Sequence, residues 1–308
     1  MGSSERVPPF PPALALVGGV LAVSTASIFI RYAQQDAPSI VIAAWRLSIA
    51  ALVLAPIAWL RCASEIRRLT FKQIMLLLLS GVLLALHFAT WITSLEYTSV
   101  ASSVVLVTTT PLWVGLLSPL LLHERMTVFV SIGLLLAMVG GGIVGISEAC
   151  EIKNGLICDP LAVALHSRAM VGNGLALAGA LCAAGYLLAG RSLRASLSLL
   201  AYIFLVYGTA AAALLVAAVS SGQSLIGYPA HTYLWFAALA FIPQLIGHST
   251  FNWSLKYLPA AFVSVSLLAE PVGSIFLAFL LLAETPGSLE LVGGLIILAG
   301  IYISVRSR

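Results

Sequence analysis

The chain has 308 residues, of which 61% are hydrophobic and 8% charged, with a mean hydropathy of +1.08 and a formal net charge of +4. Soluble domains carry about 25% charged residues, so composition excludes a water-soluble globular fold and places the chain in a bilayer. The positive charge sits in loops rather than along one stripe, which argues against a nucleic-acid partner.

Apolar runs recur near 13–33, 39–60, 74–95, 99–121, 127–147, 170–190, 197–219, 232–255, 259–282 and 287–305. Each has about 20 residues, enough to cross roughly 30 Å of hydrocarbon as a helix. They lack the alternation of half-exposed strands and are too long for barrel strands. The expected fold is an all-α integral membrane protein with ten transmembrane helices. The first run follows PPFPP without a basic n-region or an A-x-A site, so it reads as a retained helix rather than a signal peptide. No lipidation motif is found at either end.

Successive loops differ in charge. One side gathers Arg6, Arg61, Arg67, Arg68, Lys72, Arg125, Arg191, Arg194, Lys256, Arg306 and Arg308. The other has Arg31, Lys153 and Arg168, and Arg46 lies within a span. Short basic loops stay cytoplasmic, so the pattern predicts a multi-pass protein of the plasma (inner) membrane with both termini cytoplasmic. The longest connection, 148–168, then faces outward and has no room for a core. Cys150 and Cys158 flank EIKNGLI there; an oxidising compartment would let them pair, and two free thiols are the alternative.

A duplication is visible at an offset of 160. It relates Pro111 to Pro271, Glu124 to Glu284, Gly133 to Gly293, Gly140 to Gly300 and SLEY (94–97) to SLKY (254–257). Residues 94–140 share 14 identities in 47 positions with their counterparts, with no gap. Five helices per copy is an odd number, so the copies cross the membrane in opposite senses: 13–147 and 169–305 form two inverted five-helix repeats around the 148–168 loop. Such repeats suit a secondary transporter with its substrate site near the midplane.

The ten spans, EP-V…LLLAE in the ninth, P-L…LLLHE in the fourth, and the endings GLLLAMVG and GLIILAG resemble the drug/metabolite transporter superfamily. More closely, the chain resembles its EamA-type branch with two EamA repeats. The resemblance implies a permease or exporter of small metabolites such as amino acids, nucleosides or drug-like solutes, in some members driven by ion exchange. The basic cluster that anchors phosphate in sugar-phosphate relatives has no counterpart here.

Candidate pathway residues follow from the cost of burying polarity in lipid. Glu270 lies near the middle of its span beside Pro271, which removes a backbone donor and is expected to leave the Leu267 carbonyl free. The pair reads either as a binding or proton-sensitive notch or as a structural anchor paired with Arg46. Thr110 occupies the matching slot of the first half. Arg46 would snorkel, clamp Glu270 or attract a substrate carboxylate. Gln244, His248 and Asn252 are spaced four and four, which on an α-helix makes one polar stripe, loosened by Pro243. His87 and Trp91 are four apart, and a histidine here is either a proton shuttle or a packing group. Tyr186 joins Trp45, Trp91, Trp113, Tyr202 and Tyr207 as candidates for an aromatic-walled cavity. Pro111, Pro243 and Pro271 are expected kinks, and Glu124 and Glu284 are expected rim salt bridges or gates.

No nucleotide-binding, hydrolase or metalloprotease motif is present, so neither a cofactor nor a metal is expected. The reading is alternating access by a small-molecule transporter, with protons as a candidate coupling ion. A facilitative uniporter is the alternative, and a membrane enzyme or scaffold a more distant one. The chain is expected to be a monomer or weak dimer; Gly141 and Gly145 form a G-x-x-x-G that would serve either packing or pairing.

Overall fold

A computed structural model describes residues 10–123, 127–147, 150–152, 156–158 and 168–305. The described residues are almost wholly helical: α1 (Pro12–Ser24), α2 (Ala26–Ala33), α3 (Ser39–Arg67), α4 (Phe71–Ser94), α5 (Val100–Val107), α6 (Thr110–Leu121), α7 (Val128–Gly145), α8 (Arg168–Arg194) and α9 (Leu199–Ser220). After these come α10 (Ala230–Leu239), a π-helical stretch (Ala240–His248), α11 (Ser249–Ser254), α12 (Ala260–Ser266), a 3-10 turn (Leu267–Ala269), α13 (Glu270–Leu282) and α14 (Ser288–Val305). Between α7 and α8 lies a hairpin, β1 (Cys150–Ile152) and β2 (Leu156–Cys158), with Cys150 in register with Cys158. Cys150 is disulfide-bonded, whereas Cys62 and Cys182 are free.

Among the described residues, eight continuous or nearly continuous helical runs are long and apolar enough to span a membrane, and two shorter apolar helices occupy Ser131–Ile143 and Ser288–Gly300. In hydrocarbon a helix satisfies its own backbone, which is why these sequences wind rather than extend. Polar residues fix the starts. Thr70 and Gln73 form a capping box, and the Ser99 and Ser198 hydroxyls accept from the amides of Ser102 and Ala201 at 3.0 and 3.3 Å. Pro38, Pro229 and Pro259 each stand just before a helix, where a missing amide costs nothing. Two helices outrun their apolar cores: α3 continues to Arg67 and α8 to Arg194, because helix-forming polar residues extend them beyond the apolar stretch.

Packing follows the 160 offset. Helix α4 lies against α8, and α1 lies against the π-helical stretch and α11. A Cβ placed on Gly19 would come 3.1 Å from Phe251 and 3.2 Å from Thr250; one on Gly179 would come 3.1 Å from Thr90 and 3.3 Å from Trp91. These are the same contacts displaced by 160. Equivalent helices also meet each other: α3 packs on α9, α7 on α14, and α5–α6 on α12–α13. At the α7–α14 crossing, a Cβ on Gly140 would meet the Gly293 carbonyl at 2.5 Å, and one on Gly300 would meet the Gly133 carbonyl at 2.7 Å. Numbers rise along one helix as they fall along the other, so the two run antiparallel with their backbones in contact. Close backbone approach of this kind requires glycine. Gly141 contributes to packing within the chain, its Cβ position lying 3.5 Å from Thr109. The main apolar core runs through both halves, from Leu16 to Ala278, and a smaller cluster joins Val105, Ala137, Val265, Leu268 and Ile297.

Candidate functional site

Two of the three predicted kinks, Pro111 and Pro271, adjoin residues that line a central cavity, and all three mark a change of helical winding. Pro111 and Pro271 both fall in the first turn of a helix, α6 and α13, after an interruption at Thr108–Thr109 and the Leu267–Ala269 turn. Proline belongs at a helix start, so the fourth and ninth spans are each built as two helices end to end. The Leu267 carbonyl is not left free, contrary to expectation: the Glu270 amide bonds to it in 3-10 fashion. Pro243 lies inside the π-helical stretch, where a widened turn accommodates the missing amide.

The cavity is small, about 40 Å³. Its walls combine Arg46, His87, Trp91, Tyr186, His248 and Glu270 with Thr108 and Thr110 and the apolar side chains of Val23, Leu187 and Phe251. Both halves contribute, and Thr110 and Glu270, equivalent under the offset, line it together. The asymmetry is therefore chemical. Thr110 turns its hydroxyl back to the Val107 and Ala180 carbonyls at 2.8 and 3.3 Å, while Glu270 presents a carboxyl group.

Arg46 does not snorkel. It is 0% exposed, its Nε donates to Gln244 Oε1 at 2.8 Å, and its Cζ stands 4.0 Å from the centre of the Phe88 ring. Nor does it clamp Glu270 directly: no nitrogen–oxygen distance of 4.0 Å or less joins the two. They share a cavity without touching.

The expected polar stripe on the eighth span is divided. His248 lines the cavity, whereas Gln244 and Asn252 are fully buried behind the wall. Gln244 is engaged by Arg46 and Asn252 by Tyr186 and Tyr207, so neither side chain is left to line the cavity. Gln244 positions Arg46. Asn252 donates to the Tyr186 hydroxyl, to Tyr207 at 3.4 Å and to the His248 carbonyl at 2.8 Å. His87 Nδ1 lies 3.0 Å from the Gly179 carbonyl, which only accepts, so that nitrogen carries the proton; the ring stacks on Trp91. The aromatic wall is smaller than expected. Tyr202 and Tyr207 bond to Ser80 and Ser249 within the core, and Trp45 donates to the Leu225 carbonyl beside Phe236 and Tyr233. Phe88 and Phe251 were missed. The adjacency of Phe88 to His87, and the match of Phe251 to Trp91 under the repeat, were the available signals.

One end of the bundle is closed by a polar latch. Arg31 Nη2 donates to the Thr98 carbonyl at 3.1 Å and pairs with Glu284 at 3.2 Å, and the Val100 amide donates to the second Glu284 oxygen at 3.1 Å. Beside it, Glu290 accepts from Ser99 at 3.1 Å and from the Gly287 amide at 2.8 Å. A carboxylate at the start of α5 suits the positive end of that helix. Above this lies a vestibule of about 510 Å³ that also includes Glu96. Under the offset Arg31 corresponds to Arg191, which donates to the Leu255 carbonyl at 2.6 Å at the opposite end. Glu124, the counterpart of Glu284, lies outside the described residues. Substituting Glu284 by Gln is expected to loosen the latch. A cysteine placed at Ala101 should then label faster with a bulky thiol reagent than in the parent, and an unchanged labelling rate would contradict a latch role.

At the same end, Asp36 accepts from Thr232 at 2.6 Å and from His231 at 2.8 Å, tying the α2–α3 connection to the start of α10. The Thr232 hydroxyl first, and His231 beside it, hold this carboxyl below its usual range. A lowered carboxylate pKa adds stability above the unfolded value of about 3.9, and that stability is lost as pH falls through the folded value. Asp36→Ala is therefore expected to lower the thermal midpoint modestly at pH 7, with the gap from the parent closing as the medium is acidified. A gap independent of pH would contradict the ionised clasp.

Comparison with known proteins decides the family. The EamA-like transporter family model matches residues 11–146 and again 170–306. This chain belongs to the EamA-like transporter family. As a member, it is a multi-pass membrane protein of a family of transporters, with two EamA repeats. Among 28 matching chains of solved structures, one described as "Crystal structure of protein" is 18% identical, with a TM-score of 0.71 over 96% of each chain. It shares the fold. No curated protein matches this chain.

Proposed function

We propose that this EamA protein is a secondary transporter that exports a small organic solute by alternating access. Its ten membrane crossings would form two inverted five-helix repeats, with both termini cytoplasmic in the plasma (inner) membrane. The observation that carries the reading is the central cavity, where equivalent residues Thr110 and Glu270 from the two halves face one space at the meeting of broken helices. The reciprocal glycine contacts at Gly133, Gly140, Gly293 and Gly300 support inversion, because antiparallel helices exchanged by a two-fold axis place that axis across them. Two similar bundles of opposite sense have two near-equivalent packings, each opening the cavity to one face.

In this scheme the Arg31–Glu284 latch closes the outer face, and the solute leaves when it parts. Glu270 alternates between proton and solute, which couples export to proton entry. The test is a comparison of solutes in the medium of cells overproducing the chain and cells lacking it, followed by uptake into inverted vesicles with and without a proton gradient. Accumulation of one or more solutes in the medium, abolished by collapsing the gradient, is expected. Identical media would contradict export, and transport indifferent to the gradient would favour a facilitative uniporter.

A further inference from the structure

At the end of the bundle opposite the Arg31–Glu284 latch, Arg61, Arg67, Arg68 and Lys72 gather four positive charges around the α3–α4 connection, with Glu65 as the one carboxylate among them. None of the four side chains forms a hydrogen bond or ion pair among the described residues. Glu65 is committed elsewhere. Its two oxygens accept from the Ser198 amide and the Ser198 hydroxyl, each at 2.6 Å, at the start of α9, where a carboxylate suits the positive end of a helix. Arg68 lines, with Ser64, Glu65, Gln73 and Ser196, a pocket of about 370 Å³ between the α3–α4 and α8–α9 connections.

The 160 offset shows which group this end lacks. Asp36 and Thr232, joined at 2.6 Å at the other end, correspond to Ser196 and Lys72. The acid of that clasp is a serine here, and the neutral Gln73 amide donates to it at 3.2 Å. An apolar track leads to the same place. Val53, Ile57 and Leu60 are exposed on α3, and with the exposed Ser64 and Arg68 they follow at spacings of four, three, four and four, which is one face of a helix. A greasy track ending in a cationic pocket has the shape of a phospholipid in negative, and basic residues clustered at the end of a crossing attract anionic lipid. We propose that this pocket binds an anionic phospholipid, its phosphate on Arg68 and the Ser64 hydroxyl and an acyl chain along Val53, Ile57 and Leu60. Arginine meets a phosphate with two parallel bonds, so Arg68 fixes the headgroup more firmly than a point charge would. The lipid then ties a connection of the first repeat to one of the second, as Asp36 does at the other end. Phosphatidylcholine would bring an ammonium among four like charges and is the weaker ligand.

The test adds lipid to the purified full chain in a neutral detergent and follows the thermal midpoint. Phosphatidylglycerol is expected to raise it at a mole fraction about tenfold below that needed of phosphatidylcholine, and high salt should narrow the gap by screening. Arg68→Gln should remove most of this preference. Lys256→Gln, which neutralises an exposed cation of another loop, should keep it. Ser196→Asp, which restores the acid of the opposite clasp, should blunt the response to phosphatidylglycerol. Equal stabilisation of the parent by the two lipids would overturn the proposal. So would equal losses in Arg68→Gln and Lys256→Gln, which would mark a diffuse basic face rather than a site. Glycerol 3-phosphate acting as well as phosphatidylglycerol would give the pocket to a soluble phosphate and overturn the lipid. No transport is measured, so these outcomes leave the proposed function untouched.

Discussion

Vesicles containing Glu270→Gln are expected to transport at about one tenth of the parent rate or less, with a pH profile flattened across the neutral range. Glutamine preserves shape and hydrogen bonding but cannot exchange a proton. A tenfold loss corresponds to about 1.4 kcal/mol, modest beside the cost of an unmet charge at this depth. The loss should appear in turnover and coupling rather than in fold. The Glu270 backbone carbonyl accepts from Ser24 at 3.3 Å, and neither that bond nor the 3-10 bond to Leu267 involves the carboxyl group. Thr110→Val, at the equivalent lining position, is expected to leave the pH profile unchanged. A Glu270→Gln protein with the parent rate and profile would remove Glu270 from the coupling step.

The second large effect is expected at the α7–α14 crossing. Gly140→Val places a branched side chain where even a Cβ would stand 2.5 Å from the Gly293 carbonyl. Neither the backbone of α14 nor that of α7 can withdraw as a flexible side chain would. The helices must separate, and overpacking of this kind costs about 1–3 kcal/mol or more. Gly300→Val should destabilise to a similar extent, because it meets Gly133 through the same contact displaced by 160. Gly142→Val, on the same helix with open space around its Cβ position, is the control and should be nearly neutral. Thermal midpoints of the three purified proteins check this. Equal midpoints for Gly140→Val and Gly142→Val would contradict the backbone contact.

Much of this molecule can be read from its residues, for definite physical reasons. Apolar runs long enough to cross a bilayer must be helical, and a gapless offset of 160 must recur in space, as Gly19 and Gly179 illustrate with their matched neighbours. Glu270, Arg46, His87, Trp91, Tyr186 and His248 converge on one cavity because burying polarity in lipid is too costly without an interior to face. What the residues do not reveal is winding. Nothing in the spacing announces the π-helical stretch after Leu239, or that Gln244 and Asn252 are buried outside the cavity lining. Partner choice is equally hidden. Nothing local to Arg46 shows that Gln244 and Phe88 hold it, or that Glu270 stands apart from it, since these contacts join distant helices.

The most direct test is two-sided labelling of the cavity itself. Thr110→Cys, in a chain whose free cysteines Cys62 and Cys182 are replaced by serine, carries one thiol among the lining residues. Membrane-impermeant thiol reagents applied separately to right-side-out and inverted vesicles are predicted to reach it from both faces. Prior labelling from either side should block labelling from the other. Labelling from one face only, under every condition in which the protein transports, would contradict alternating access around this cavity.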